Sequence, residues 1–276
     1  MPVVPTKSSH DIRLVAIDLD GTLLDDQKRI SHRAIAGLSA ATAKGVKVVI
    51  ASARPPRSVR HIYAALKLDT WQINYNGALI WDEPAKKSRF HGPIAASVVH
   101  KLIRQARDLY PDVLVSCELM DRWYTDRVDG KHTTETGRLF PPDVVAPLED
   151  FWNVSMTKVL LLGNPRMMND LETSLGMAFD DKVTLVRTDP DLIQIMDKRN
   201  SKAIAVEKVA AHYRVTPRQV MAIGDAPNDF GMLRMAGVAV AMDNAHASVK
   251  KIAHWVAPSN NDHGVHAALV RYGLCE

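Results

Sequence analysis

The stretch Ile12-Arg13-Leu14-Val15-Ala16-Ile17-Asp18-Leu19-Asp20-Gly21-Thr22-Leu23 decides the fold of this chain. Residues 12–17 are a short, mainly apolar run with β-branched members, and Asp18 ends it. A run of this length predicts a buried strand of the kind found in parallel sheets. The carboxylates and the glycine that follow predict a sharp turn at the end of that strand.

Helix and strand signals alternate on the C-terminal side of this strand. Ser31 is placed to cap a helix that Gly45 closes, and residues 46–51 form a second buried apolar run. The next predicted helix carries apolar residues at spacings of i, i+3, i+4 and i+7, which are Val59, Ile62, Tyr63 and Leu66. The order strand, helix, strand, helix predicts an α/β fold with a parallel sheet covered on both faces.

The same alternation returns near the C-terminus. Ser201 begins a predicted helix, residues 219–223 and 238–242 are predicted strands, and residues 245–252 are a predicted helix. We interpret these segments as the second half of the sheet that begins at residue 12.

The middle of the chain has a different pattern, which Pro84 and Gly92-Pro93 introduce. It predicts a helix over residues 95–109 and short strands at residues 113–117, 158–162, 183–186 and 192–196. We therefore predict a core made of residues 1–83 and 192–276, with residues 84–191 as an inserted, smaller α+β domain. The first eleven residues should form a loose tail.

Composition narrows the class of protein. The chain has 276 residues and a net charge of +4, without any run of five or six basic residues, so nucleic acid is not an expected partner. No apolar stretch approaches the ~20 residues of a membrane span. The only cysteines, Cys117 and Cys275, exclude a disulfide framework and a cysteine-built zinc site. A cytoplasmic protein with no membrane partner is the expectation.

Asp18 and Asp20 follow the first predicted strand at its carboxyl end, where open parallel sheets bind their ligands. A spacing of two residues can aim both side chains at one reacting centre. Because neighbouring carboxylates disfavour each other's ionisation, one can act as a charged nucleophile while the other holds a proton. The alternative is an ordinary turn after a strand, where Asp and Gly are common.

A second acidic turn, Gly224-Asp225-Ala226-Pro227-Asn228-Asp229, follows another predicted strand. It adds two carboxylates and an amide at the same end of the predicted sheet as Asp18. Oxygen-rich groups without His or Cys suit a hard ion such as Mg²⁺. We therefore expect Mg²⁺ as the cofactor.

Two further groups could bind an anion at this edge. Ser52-Ala53-Arg54 also stands at a strand end, where a hydroxyl and backbone N–H groups can hold a phosphate. Lys202 stands beside Ser201 at the start of a predicted helix. Taken alone, a lysine in such a place is most often a solvated charge, and a serine is most often only a helix cap.

A charge count explains why these groups would belong together. Asp18, Asp225 and Asp229 bring three negative charges, and a phosphate monoester brings about two more near neutral pH. A pair of like charges at about 4 Å costs about 4 kcal/mol at an effective dielectric of about 20. Such a site needs cations, which Mg²⁺ and Lys202 would supply. The acidic cluster thus predicts a metal, and the metal with the lysine predicts an anionic, phosphorylated substrate.

Together these stretches resemble the four ordered motifs of the haloacid-dehalogenase-like hydrolase superfamily. Three further features resemble its Cof-type subfamily. The first is the insert between the second and third motifs, the second is Asn76-Gly77-Ala78 just before that insert, and the third is the late segment Asn261-Asp262-His263-Gly264-Val265. The resemblance covers about residues 12–270. It implies a Rossmann-like, doubly wound core with a mobile cap, the insert of residues 84–191, that selects the substrate.

The resemblance also implies catalytic roles. Asp18 would attack phosphorus and form an aspartyl-phosphate. Asp20 would protonate the leaving alcohol and then take a proton from the attacking water. Mg²⁺ would be held by the Asp18 carboxylate, the Asp20 backbone carbonyl and Asp225.

Phosphate binding is implied for a further set of residues, which are Ser52, Ala53, Arg54, Lys202 and Asn228. Asp229 would orient Lys202 or a metal-bound water. Two positions depart from the family pattern, since Ala53 and Ala203 stand where glycine is usual. Ala53 restricts the backbone if a positive φ is needed there, whereas the phosphate-binding N–H survives if φ is negative.

Three functions remain open. The first is a Mg²⁺-dependent phosphatase for small phosphorylated metabolites, with sugar phosphates as the expected class. The second is a sugar-phosphate phosphomutase, because related mutases share the aspartate pair and a comparable cap. The third is a non-catalytic metabolite-binding homologue, which the retention of both Asp18 and Asp20 disfavours.

Two other features have a functional and a structural interpretation. A segment of the insert could recognise a sugar or an anion, or could be an ordinary exposed surface, through Arg122, Trp123, Tyr124, Arg127, Lys131, His132 and Arg138. His263 and His266 form a close histidine pair that lacks further ligands nearby, so we interpret it as structural.

Overall fold

The computed structural model describes residues 11–132 and 134–276, so that nearly all of the predicted N-terminal tail lies outside the described residues. The chain divides into two units. The first comprises the described residues up to Ala53, Val59–Lys87 and Ser201–Glu276. The second comprises Arg54–Ser58 and Ser88–Asn200. Each unit has its own sheet and its own core.

Strands and helices alternate along most of the described chain. The strands are β1 (Leu14–Ile17), β2 (Lys47–Ile50), β3 (Gln72–Asn74), β4 (Leu79–Asp82), β5 (Lys87–His91), β6 (Leu114–Leu119), β7 (Arg122–Thr125), β8 (Val144–Val145), β9 (Lys158–Leu162), β10 (Val183–Asp189), β11 (Leu192–Asp197), β12 (Val220–Gly224), β13 (Val238–Met242) and β14 (Trp255–Ala257). The α-helices are α1 (His32–Ala43), α2 (Pro56–Leu66), α3 (Ala96–Leu109), α4 (Glu135–Leu139), α5 (Pro165–Phe179), α6 (Lys202–His212), α7 (Phe230–Met235), α8 (Ala247–Lys250) and α9 (Gly264–Arg271).

The sheet of the first unit has five parallel strands in the order β14-β13-β12-β1-β2. Every residue of β1 is buried, which is why its sequence is a continuous apolar run. Ile17 lies beside Ile223 of β12 and Ile50 of β2, so the carboxyl ends of three strands meet at one edge. The strand order reverses between β1 and β12, and doubly wound sheets bind their ligands at such a switch point. The predicted α/β, Rossmann-like fold class is confirmed.

Two serines predicted to start helices act as N-caps. The Ser31 side chain accepts a hydrogen bond from the N–H of Ala34 at 3.1 Å, and α1 follows it. The Ser201 side chain accepts one from the N–H of Ile204 at 3.3 Å, and α6 follows it. Gly45, which closes α1, has a φ of +84°, a left-handed conformation that favours glycine. Helix α1 packs on α9, and α6 packs on α7.

A short antiparallel pair, β3 with β4, follows α2 in the first unit. Ile73 of β3 forms a parallel bridge with Ala51 and accepts a hydrogen bond from the N–H of Ser52 at 2.9 Å. The turn after β3 has positive φ at Asn76 (+52°) and at Gly77 (+98°). These strands of three and four residues have no periodicity that a sequence reading could recognise.

The second unit has a six-stranded sheet in the order β10-β11-β9-β6-β7-β8. All neighbouring strands are antiparallel except β7 and β8, which are parallel. Helices α3 and α5 pack on each other and belong to the main apolar core of this unit. Helix α5 begins after Asn164, whose side chain accepts a hydrogen bond from the N–H of Met167 at 3.0 Å. The mixture of helices and an antiparallel sheet is the α+β arrangement predicted for the insert.

The predicted C-terminal border of the insert, after residue 191, is wrong. Strand β11 pairs with both β10 and β9, so Leu192–Asp197 lies inside the sheet of the second unit. The compact unit extends to Asn200, and its border on the N-terminal side falls after Lys87 rather than after residue 83. Apolar alternation identifies β11 as a strand, but only pairing shows to which sheet it belongs.

Helices of the described residues are too short or too polar to cross a bilayer.

Candidate active site

The parallel register places two carboxylates at adjacent strand ends of the first unit. Asp18 is the residue after β1, and its N–H donates a hydrogen bond to the carbonyl of Ile223 at 3.0 Å. Asp225 is the residue after β12, whose last residue is Gly224. Both acidic turns found in the sequence therefore lie at the switch point of the sheet.

Lys202 lies between carboxylates and is almost completely buried, with 1% of its surface exposed. Its ammonium group donates hydrogen bonds to Asp18 Oδ1 at 2.5 Å and to Asp229 Oδ1 at 2.7 Å. The alternative of a solvated surface charge is wrong for this lysine. The cap at Ser201 sets the first turn of α6, and that turn carries Lys202 to the acidic edge.

Asp229 links Lys202 to the loop that carries Asp225. Its side chain is fully buried. Its Oδ2 atom accepts hydrogen bonds from the N–H groups of Asp225 at 3.0 Å and Ala226 at 3.1 Å, while Oδ1 binds Lys202. Both oxygens of Asp229 are thus engaged, which fits an orienting residue.

Gly21 and Thr22 shape the position of Asp225. The Thr22 hydroxyl donates a hydrogen bond to Asp225 Oδ1 at 2.8 Å. Gly21 has a φ of +79°, and a Cβ atom placed on it would lie 2.4 Å from Asp225 Oδ2. Glycine is therefore required at position 21 both for the turn and for the close approach of the carboxylate.

Burial and crowding determine the ionisation of this cluster. Burial is the largest effect on Asp18 and raises the pKa of its carboxyl group well above the ordinary value; Lys202 opposes this effect, and Asp229 and Asp225 add to it. Burial also raises the pKa of Asp225 to about 6, against the hydrogen bond from Thr22. For Lys202, burial acts to lower the pKa, but Asp18 and Asp229 outweigh it and raise the pKa.

The donor set fits a hard divalent cation. Asp18, Asp225 and Asp229 each offer a carboxylate oxygen, and these atoms lie within 4.8 Å of one another. Because both oxygens of Asp229 already accept hydrogen bonds, Asp18 and Asp225 are the better direct ligands. Three carboxylates around one ammonium leave an excess of negative charge, which a cation would offset. His263 and His266 join no such group in the part of the chain that the structure describes.

Asp20 lies at the more open side of the same loop, with 38% of its side chain exposed. Its Oδ1 atom accepts a hydrogen bond from the ammonium group of Lys28 at 2.6 Å. Lys28 was not recognised in the sequence, because a lysine in a polar turn has no distinguishing pattern.

Ser52 is buried and its backbone is held on both sides. Its N–H donates to the carbonyl of Ile73 at 2.9 Å, and its carbonyl accepts from the N–H of Asn76 at 3.0 Å. The N–H of Ser52 is thus already used, so phosphate binding by this loop would depend on its hydroxyl and the following N–H groups. Ala53 is absent from the described non-glycine residues with positive φ, so its methyl group is compatible with the backbone there.

Asn228 and Arg54 occupy less enclosed positions. Asn228 is exposed, and its side-chain amide donates to Asn76 Oδ1 at 3.0 Å. The Asn76-Gly77 turn also packs on the start of α6, since a Cβ atom on Gly77 would lie 2.2 Å from the Ser201 carbonyl oxygen. Arg54 is half-buried and is the first residue of the second unit, so its phosphate contact stays a prediction.

The second unit, taken by itself, contains a cavity of about 290 Å³. Three leucines line it, Leu114, Leu160 and Leu162, and together with Leu192 they form an apolar cluster apart from the main core of the unit. Its polar lining includes Trp123, Arg127 and His132, from the segment of the insert that is rich in basic and aromatic side chains. A volume of this size is at the lower end for small-molecule sites.

Comparisons with known proteins agree with this geometry. A family model of the haloacid dehalogenase-like hydrolases matches residues 15–269. The chain is 30% identical to a 5-amino-6-(5-phospho-D-ribitylamino)uracil phosphatase of Bacillus subtilis, over 94% of this chain and 97% of that protein.

Solved structures show the same fold. The structure of a haloacid dehalogenase-like hydrolase from Bacteroides thetaiotaomicron superposes with a TM-score of 0.85 at 25% identity, over 94% of this chain and 99% of the other. A structure from Thermotoga maritima superposes with a TM-score of 0.83 at 27% identity, over 94% and 97%. The chain belongs to the haloacid dehalogenase-like hydrolases, of the Cof type that its motifs resemble, and is a phosphatase of that family.

Proposed function

We propose that this protein is a Mg²⁺-dependent phosphatase that hydrolyses small phosphorylated metabolites, in particular sugar or sugar-alcohol phosphates, through an aspartyl-phosphate on Asp18. The observation that carries the proposal is the buried contact of Lys202 with Asp18 and Asp229 beside Asp225. It combines a nucleophile, a fixed cation and an excess of carboxylates at a ligand-binding edge.

Asp18 is the nucleophile in this proposal. Lys202 holds Oδ1 of Asp18 and favours the ionised carboxylate, which burial alone would disfavour. One oxygen of Asp18 forms a bond to phosphorus while the bond from phosphorus to the ester oxygen breaks. Asp20 gives a proton to the departing oxygen. In the second step water attacks phosphorus, Asp20 takes a proton from that water, and Asp18 leaves as a carboxylate.

The metal ligands are proposed to be the Asp18 carboxylate, the Asp20 backbone carbonyl and Asp225. When bound, Mg²⁺ would neutralise phosphate charge and orient the phosphoryl group for in-line attack. The carboxylate of Asp225 is held in position by the hydrogen bond from Thr22, and the absence of a side chain on Gly21 leaves room for it. Asp229 keeps Lys202 in place and fixes the loop around Asp225.

The transferring phosphoryl group is proposed to be bound by Lys202, Ser52 and Asn228, with the Ala53 N–H and Arg54 as further donors. Ser52 and Asn228 are both tied to Asn76, through its N–H and its side-chain oxygen. This shared partner supports a common task for two motifs that lie far apart in the sequence.

We propose that the second unit acts as the cap that selects the substrate. Its cavity offers leucines to an apolar part of a ligand and Ser116, Thr125 and Arg127 to its hydroxyl or charged groups. The relative from Bacillus subtilis is named for a substrate that joins a uracil ring to a phosphorylated sugar alcohol. A ligand of that mixed character would suit such a cavity.

The test is a screen of phosphorylated sugars, sugar alcohols, nucleotides and cofactors, with and without Mg²⁺ and with Asp18→Asn as the blank. We expect metal-dependent release of free phosphate from one chemical class. Isomerised sugar phosphate that forms only with a bisphosphate primer would indicate a phosphomutase instead. Ligand binding without any turnover in either assay would indicate a non-catalytic homologue.

A further inference from the structure

The loop that follows the Asp18 motif closes into a short hairpin, residues 24–30. Leu24 and Ile30 form an antiparallel bridge. The N–H of Asp25 donates to the carbonyl of Arg29 at 3.0 Å, and the N–H of Lys28 donates to the carbonyl of Asp25 at 2.8 Å. The hairpin is therefore a defined turn rather than an irregular loop.

The side chains of Asn260 and Asn261, near the C-terminus, bind this hairpin through hydrogen bonds. The Asn260 amide donates to the carbonyl of Leu24 at 3.0 Å and to Asp26 Oδ1 at 3.1 Å. Asn261 donates to Asp26 Oδ2 at 2.9 Å and accepts from the N–H of Asp26 at 3.1 Å. The hydrogen bond from Asn261 and, to a smaller extent, that from Asn260 lower the pKa of Asp26 and so favour its ionised form. We call these contacts of Asn260 and Asn261 with the hairpin the clamp.

Asn244 connects this clamp to the turn at Gly21, which directly follows Asp20. Its amide donates to the carbonyl of Gly21 at 2.7 Å, and its side-chain oxygen accepts from the N–H of Asn260 at 3.0 Å. The turn that carries Asp20 and the hairpin that carries Lys28 are thus held by one set of asparagine contacts. Relative movement of the two is correspondingly restricted.

Lys28 occupies a left-handed backbone conformation, with a φ of +61°, in this clamped hairpin. Such a conformation is uncommon for a residue other than glycine and is maintained only where surrounding contacts hold it. The Lys28 ammonium group lies 2.6 Å from Asp20 Oδ1. An ion pair between half-exposed groups contributes little to stability, so stability alone does not explain the arrangement.

We infer that Lys28 is a positioning residue, which holds the carboxyl group of Asp20 in the orientation that proton transfer requires. The inference rests on the proposed function, because it takes Asp20 as the general acid and base. A side chain at an exposed loop can rotate about two torsions, and fixing one oxygen removes much of that freedom. Proton transfer demands hydrogen-bond geometry, so a loosely held acid is a poor catalyst.

The test compares esters with different leaving groups. An alkyl phosphate needs a proton on its departing oxygen, whereas p-nitrophenolate departs from p-nitrophenyl phosphate without one. For Lys28→Met, we expect kcat/KM for an alkyl phosphomonoester to fall about 10-fold and kcat/KM for p-nitrophenyl phosphate to fall less than about 3-fold. Lys28→Arg should retain at least about half of the wild-type value for both esters. Arg29→Met, which removes a charge from the same hairpin, should leave both within about 2-fold.

A second comparison isolates the link to Asp20. In an Asp20→Asn background, adding Lys28→Met should cause no further loss, because the group that Lys28 positions is already gone. Equal losses for the two esters would overturn the inference in favour of simple attraction of the anionic substrate. Full activity of Lys28→Met, no rescue by arginine, or a selective loss in Arg29→Met would overturn it as well.

The outcome separates this inference from the proposed function. Wild-type turnover that Asp18→Asn removes, combined with an unselective Lys28→Met, would reject only the role of Lys28. A wild-type protein that releases no phosphate from any ester would reject both.

Discussion

Two lysines are buried among the described residues, one in each unit, and their surroundings differ. Lys202 in the first unit contacts Asp18 and Asp229, with Asp225 in the same group of three carboxylates. Lys158 in the second unit contacts Glu118 at 2.9 Å and the uncharged Gln194 at 3.3 Å. Glu118 belongs to no group of three ligating side chains in the described part of the chain. A buried pair can be purely structural, whereas an excess of buried carboxylates indicates a site that needs a further cation.

The largest expected effect is that of Asp18→Asn in the acidic cluster. An amide cannot form the bond to phosphorus, so we expect phosphate release to fall at least about 10³-fold. The amide oxygen can still accept the hydrogen bond from Lys202, so the fold should persist. Phosphate release and thermal unfolding, measured on the same preparation, check both parts. Turnover within about 10-fold of the wild-type rate would contradict the nucleophile assignment.

The comparison of the two lysines is sharpened by Lys202→Met and Lys158→Met. Each variant leaves a buried carboxylate without its ammonium partner, which lowers the free energy of unfolding by about 3–5 kcal/mol in comparable cases. We expect both variants to be less stable in urea. Only Lys202→Met should lose phosphate release from every ester, because Lys202 contacts the proposed nucleophile. Glu118 lines the cavity of the second unit, so Lys158→Met should alter at most which esters are preferred.

A double variant provides the control for this comparison. Replacing the whole pair, Lys158→Met with Glu118→Leu, should recover most of the lost stability, because no unpaired charge remains. A Lys158→Met protein that loses turnover as completely as Lys202→Met would show that the distinction between the two pairs is incorrect.

Magnesium should stabilise only the site with excess negative charge. Chelation with EDTA should stop phosphate release, and Mg²⁺ should restore it. At about 100 times the dissociation constant, a ligand specific for the folded state adds about 2.7 kcal/mol to the free energy of unfolding. We expect a matching rise in Tm for wild type, and a much smaller rise for Asp225→Asn. Turnover that persists in EDTA, or an unchanged response in Asp225→Asn, would rule out the proposed metal ligands.

The smallest predicted effect concerns pH in the metal-free protein. Burial raises the pKa of Asp225 from the ordinary 3.8 to about 6, so the folded state binds more protons than the unfolded state between these values. The stability contribution of Asp225 is therefore complete below about pH 4 and is lost as the pH rises through about 6. We expect a decline of roughly 1–2 kcal/mol over this range after solvent screening.

This decline is measured by unfolding in urea at pH values from about 4 to about 7, a range that contains the unfolded and the folded pKa of Asp225. Mg²⁺ should remove it, because a bound cation favours the ionised carboxylate. Asp225→Asn should remove the part of the decline that Asp225 contributes, and the part that survives belongs to Asp18, whose pKa burial also raises. A decline of unchanged size in Asp225→Asn would contradict this assignment.

Much of the fold followed from local pattern. The strand at residues 158–162 and the strand at residues 238–242 have the bounds that their apolar runs predicted, and Ser31 and Ser201 cap the helices predicted to follow them. These features depend on interactions within a few residues, which the sequence contains directly. Pairing partners are not local, which is why the border after residue 191 was wrong.

The sequence by itself determined which residue types stand at the strand ends, and therefore the acidic, phosphate-directed chemistry around Asp18 and Asp225. Only the tertiary structure decided that Lys202 is buried between carboxylates and that Lys28 reaches Asp20. It also decided that Asn260 clamps a hairpin more than two hundred residues away. The physical reason is that the role of a charged or polar side chain depends on its burial and on its partners. Long-range packing alone sets both.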